Sequence, residues 1–103
     1  ETNSVGACGA VRFGSGPTYE PFALADDAPV VQAALAATAR AGITARPVTN
    51  DGGMDANQLV AHGIPTVTLG AGQRSVHTQD EHVEVSDFLA ACRIARDLAI
   101  GSG

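Results

Sequence analysis

The segment Ile64-Pro65-Thr66-Val67-Thr68-Leu69 constrains this chain most. It is apolar and rich in β-branched residues, with Gly63 on one side and Gly70-Ala71-Gly72 on the other. Such side chains suit a pleated surface, so the run predicts a strand in the middle of a sheet. Two weaker candidates precede it: residues 5–13, which two glycines weaken, and residues 43–48. Helix signals separate them. Asp26-Asp27-Ala28-Pro29 opens the first helix, because acids favour the positive end of a helix and Pro is tolerated in its first turn. An Ala-rich run then reaches Arg40, and Gly42 supplies a left-handed stop. A second helix is predicted over 54–61, ended by Gly63. A third runs from a Ser86-Asp87 cap to about Ile100, with Phe88, Leu89, Cys92, Ala95 and Ala99 at helical spacing. Strand, helix, strand, helix, strand, helix is the order of an α/β layered sheet with at least two parallel strands. Residues 73–84 are polar and aperiodic, and read as a long loop.

With 103 residues, the chain has room for one compact domain and no more. Eleven acids against six bases, all arginine, give a formal charge of -5. The arginines are spread along the sequence from Arg12 to Arg96, so nucleic acid and anionic membranes are poor partners. No apolar run is long enough to cross a bilayer, and the N-terminus lacks the basic and apolar regions of a secretion signal. A cytoplasmic protein is therefore expected. Cys8 and Cys92 are far apart and outside any Cys-x-x-Cys motif; free thiols are the default expectation, with a disulfide left open. Cys92 sits on an apolar helical face and reads as a core residue.

In open α/β sheets, ligands gather beyond the carboxyl ends of the strands. Two loops occupy such positions. The first is Thr49-Asn50-Asp51-Gly52-Gly53-Met54-Asp55-Ala56-Asn57. It reads either as an ordinary capped turn or as a place where a ligand approaches bare backbone and exposed amides hold an anion. No Lys follows the glycines, so it is not a phosphate loop. The second, residues 70–82, carries His77, Asp80, Glu81 and His82. His77 is either a solvated loop residue or a metal ligand. His62, in the last turn of a helix, needs no function there. No Gly-x-Ser-x-Gly elbow is present, which disfavours serine hydrolysis.

Three motifs taken together resemble a known family: Asn50-Asp51-Gly52-Gly53-Met54-Asp55-Ala56-Asn57, His62-Gly63-Ile64-Pro65-Thr66-Val67-Thr68-Leu69-Gly70-Ala71-Gly72, and His77-Thr78-Gln79-Asp80-Glu81. The run resembles the C-terminal part of M20-family zinc metallopeptidases, closest to the peptidase T-like (tripeptide aminopeptidase) branch. The resemblance implies the C-terminal half of a zinc-exopeptidase-like catalytic domain over residues 17–103. Residues 1–16 would be the last strand of an inserted lid domain plus a linker, and Tyr19-Glu20-Pro21-Phe22 the point of re-entry. It also implies a two-zinc hydrolase in which metal-activated water attacks a small peptide or related amide, with a carboxylate as general base. By the same match His77 is a metal ligand. Gly52, Gly53, Asp55 and Asn57 border the substrate, and Glu81 orients the loop rather than binding metal.

The family's other ligands, its bridging aspartate and its general-base glutamate come from an N-terminal half. No His-x-Asp stretch or Glu-Glu pair that would match them occurs in these 103 residues. One zinc ligand at most is supplied here, so this chain is expected to be inactive alone. Its partners would be that N-terminal half and a small peptide substrate, with homodimerisation through uncovered apolar strands as a further expectation. Two other readings remain: a non-catalytic scaffold or interaction domain keeping half of the fold, and a small-anion module built on the two glycine loops.

Overall fold

The computed structural model describes residues 6, 8–16 and 19–101. In chain order the elements are α1 (Pro29–Arg40), α2 (Asp55–Ala61), β1 (Gln73–Arg74), β2 (His82–Val83) and α3 (Val85–Ile100). All three helices form where the sequence places them. Pro29 opens α1. Asp26 and Asp27 lie ahead of the Ala28 N-cap, outside the first turn, where the Asp26 carbonyl accepts a bond from the Gln32 side chain at 2.7 Å. The start of α3 is slightly earlier than expected, with Glu84 as N-cap and Asp87 inside the first turn.

Both glycine stops take the geometry that glycine permits. The N–H groups of Gly42 and Ile43 donate to the carbonyls of Ala39 and Thr38 at 2.9 and 3.0 Å, with Gly42 at φ +79. Gly63 and Ile64 repeat the pattern on Val60 and Leu59, also at 2.9 and 3.0 Å, with Gly63 at φ +82. Each helix therefore ends in a Schellman motif, which satisfies its last carbonyls and turns the chain toward a segment expected to be a strand.

Those strands differ from expectation. Among the described residues, 8–13, 43–48 and 64–69 carry no ladder, and Cys8 makes only an isolated bridge. Residues 5 and 7 of the first candidate, and the expected domain boundary at 16–17 on its C-terminal side, involve positions outside the described residues. The sheet that forms is instead a two-stranded antiparallel hairpin within the presumed loop, pairing Gln73 with Val83 and Arg74 with His82. Strand propensity expresses itself only when a neighbour supplies the complementary edge, and no described segment does so for 43–48 or 64–69.

The core is thin. Val31, Ala34, Ala37 and Thr38 are buried on α1 and Ala90 and Ile94 on α3, the two helices lying in contact, and Ala56 is buried on α2. Arg40 Nε donates to Asp97 Oδ2 at 2.6 Å beside this seam. The face of α3 that packs therefore runs through Ala90 and Ile94. The apolar set Phe88, Leu89, Cys92, Ala95 and Ala99 lies exposed on other faces, so Cys92 is not a core residue. Cys92 is an exposed free thiol.

Two quantities show how open this arrangement is. Its accessible surface is 8352 Å², against roughly 5400 Å² for a folded monomer of this mass. Its radius of gyration is 19.8 Å, against about 13 Å for a closed domain of this length. The molecule has not folded its apolar surface onto itself.

Candidate functional site

The loop 50–57 is held from two sides. Gly52 N–H donates to Asn50 Oδ1 at 3.2 Å, closing a local turn. Met54, the N-cap of α2, donates its N–H to Asn57 Oδ1 at 3.0 Å, and Asn57 Nδ2 donates to the carbonyl of Glu20 at 2.8 Å. Both ends of the Asn57 amide are thus engaged in joining the start of α2 to the arm at Glu20. The neighbouring Tyr19 ring lies against Gly53 so closely that any Cβ there would overlap it. A side chain at Gly53 would require the Tyr19 ring to move. Gly52, by contrast, meets only ordinary contacts with Asn50.

These bonds change the expectation for anion binding. Two of the loop's amides, those of Gly52 and Met54, already have side-chain acceptors. Asp55, first residue of α2, keeps an exposed carboxylate with no hydrogen bond or ion pair among the described residues.

The second loop is the tip of the hairpin. Thr78 donates through its N–H at 3.1 Å and its hydroxyl at 2.6 Å to the Ser75 carbonyl, and its own oxygens receive the N–H groups of Asp80 and Glu81, both at 3.2 Å. Ser75 and His77 both adopt positive φ, 52° and 64°. A non-glycine residue there costs on the order of 1 kcal/mol or more, so the tip needs restraint. Glu81 supplies it, its Oε2 accepting the His77 N–H at 3.2 Å.

The three histidines differ in what their rings do. His62 Nδ1–H donates to the Gln58 carbonyl, and His82 Nδ1–H to the Asp80 carbonyl, both at 2.7 Å. His82 Nε2 also lies 3.8 Å from Glu84 Oε1. The His77 imidazole is exposed and has no hydrogen bond or ion pair among the described residues. An unengaged ring on a restrained backbone suits a ligand for a metal ion such as zinc. Among the described residues no three His, Cys, Asp or Glu side chains converge on one point. The donor set fits one ligand and not a whole centre. Among the described residues no hydrogen bond or ion pair joins the His77 loop to the 50–57 loop.

The fold also brings some arginines together. Although scattered in sequence, Arg40, Arg93 and Arg96 gather around a hollow of about 430 Å³ with Asp97. That hollow adjoins the C-terminal half of α3, and Asp97 stands ten residues, or about 15 Å of helix, from Asp87 near the hairpin. The sequence also gave no role to Tyr19 on Gly53 or to Arg74 Nη2 on Asp87 Oδ2 at 3.0 Å. The double glycine of the first loop was the one available signal for Tyr19; Asp87 read only as a cap.

The family model described as Peptidase family M20/M25/M40 matches residues 7–100. The chain belongs to this family. Its members are typically metal-dependent peptidases. Over 71 residues the chain is 37% identical to the uncharacterized protein YqjE of Bacillus subtilis, covering 69% of this chain and 19% of that protein. It is 35% identical over 71 residues to a succinyl-diaminopimelate desuccinylase of Helicobacter hepaticus, covering 68% and 18%. This M20 chain thus spans about a fifth of the length of the curated relatives it matches. No solved structure matches it significantly. No helix of the described residues is long and apolar enough to cross a membrane.

Proposed function

We propose that this chain is the C-terminal part of a two-zinc M20 metallopeptidase of the peptidase T-like kind, hydrolysing small peptides or related amides, and that it does not cleave alone. The observation that carries this reading is His77: an exposed imidazole with no hydrogen bond or ion pair among the described residues, on a backbone that Glu81 restrains, in a chain of this family. His77 would hold one of the two zinc ions. When bound, zinc polarises the amide carbonyl and lowers the pKa of water. Glu81 fixes the backbone from which the ring projects. Gly52, Gly53 and Asp55 border the substrate, and Asn57 holds that border to the arm at Glu20.

The remainder of the catalytic domain would supply the other ligands and the general base. It would also cover residues 43–48, residues 64–69 and the exposed Phe88 and Leu89 of α3. Until it does so, the isolated chain is expected to self-associate through these surfaces. The activity named for the Helicobacter relative supports an amide substrate, since a desuccinylase removes an acyl group.

The test is hydrolysis of a tripeptide and of an N-succinyl amine by a form extended to the full length of the relatives, before and after chelation and zinc return. Zinc-dependent cleavage of either, abolished by His77→Ala, is the expected result. An extended form that cleaves neither would favour the scaffold reading, and one that cleaves equally well with His77→Ala would overturn the ligand role of His77.

A further inference from the structure

We infer that Asp87 is the positioning residue for His77: from the first turn of α3 it fixes the base of the hairpin whose tip carries that imidazole. The functional meaning rests on the metallopeptidase reading, but the geometry does not.

A hairpin of two rungs, all four of its residues exposed, has too little pairing to hold itself in place. The tip adds two positive-φ residues that favour unwinding. An external anchor is therefore required, and Asp87 touches the entering strand in two ways. Its Oδ2 accepts Arg74 Nη2 at 3.0 Å. Its Cβ lies where Gly72 approaches so closely that a Cβ on Gly72 would stand 2.7 Å away. Gly72 is also at φ +85, so this approach and the bend leading into β1 share one residue. Three positions after Arg74 comes His77. In the other direction, α3 is seated on α1 through Ala90 and Ile94. Asp87 thus links the packed helix pair to the loop that presents the ligand.

Asp87 also lies where a helix N-terminus favours an acid, so a purely helix-stabilising role must be separated from positioning. Hydrogen exchange by mass spectrometry on the full-length parent chain does this. In Asp87→Ala, peptides covering 73–84 are expected to exchange up to about fivefold faster, the scale of one exposed ion pair, while the Ile94 region stays unchanged. Gly72→Ala should loosen the same segment, and pairing Arg74→Asp with Asp87→Arg should restore protection. Zinc affinity measured by chelator competition should fall about 10- to 100-fold in Asp87→Ala, as for other groups that orient a ligand.

Unchanged exchange over 73–84 overturns the inference, as does acceleration of 73–84 and the Ile94 region together. If the unaltered parent binds no zinc, the metallopeptidase reading fails, and the exchange result alone still decides whether Asp87 positions the hairpin.

Discussion

Glu81 reaches back four positions to accept the backbone N–H of His77 at 3.2 Å, and so restrains a residue held at φ +64. The carboxylate acts on the backbone and leaves the imidazole free. Removing the acceptor should release the tip without removing the ligand. Glu81→Ala is expected to lower the zinc affinity of the full-length parent about 10- to 100-fold, the range for groups that orient a ligand. Glu81→Gln keeps an acceptor and should lose less. Chelator competition on both variants checks this; equal losses would count against a hydrogen-bonding role.

Gly53 and Tyr19 form a second coupled pair. Gly53→Ala places a methyl into the Tyr19 ring and should destabilise the parent by roughly 1–3 kcal/mol, as overpacking does. Tyr19→Ala in the same chain should recover most of that loss. A double-mutant cycle by denaturant unfolding measures the coupling, and additive effects would show that the ring does not occupy that space.

At the Schellman turns, Gly42→Ala forces an L-residue into the left-handed region at φ +79. A cost of about 1–2 kcal/mol is expected. Gly70→Ala is the control, because an added methyl there meets open space at ordinary φ. Comparing their melting temperatures with the unaltered protein checks the contrast; similar shifts for both would be inconsistent with it.

Phe88 tests whether the exposed face of α3 is covered in the parent. The side chain is 52% exposed here, so Phe88→Ala in the isolated chain should change stability by no more than about 0.5 kcal/mol. In the full-length protein the same change should cost roughly 3–5 kcal/mol, as for a buried phenylalanine. Equal effects in the two settings would mean that nothing covers this face.

Helices were legible because their signals are local. Pro29, the alanine run, Gly42 and Gly63 act through backbone conformation and bonds within a few residues, and each did what its chemistry prescribes. The strand candidates at 43–48 and 64–69 carry equally clear residue types but depend on an edge from elsewhere, and no described segment supplies it. The small hairpin was illegible for the opposite reason. Gln73, Arg74 and His82 have no strand pattern, and their pairing follows from Gly72 and the tightly bonded tip. On α3 the apolar stripe through Phe88 and Cys92 was visible, but pattern alone does not say which stripe finds a partner. Ala90 and Ile94 met α1, and the stripe stayed bare. For the candidate site, family resemblance singled out His77 and Glu81, and the fold adds the bond from the His77 N–H to the Glu81 carboxylate. Tyr19 and Asp87 act across 34 and 15 positions of sequence, on Gly53 and Gly72, and only the fold brings those pairs together.

The most direct measurement is zinc content per chain, by elemental analysis, of the full-length parent with and without His77→Ala. About two zinc ions in the unaltered protein, as a two-metal hydrolase requires, and a clear loss in the His77→Ala form is the expected result. Full zinc occupancy retained without His77, or none with it, would contradict the role assigned to this imidazole.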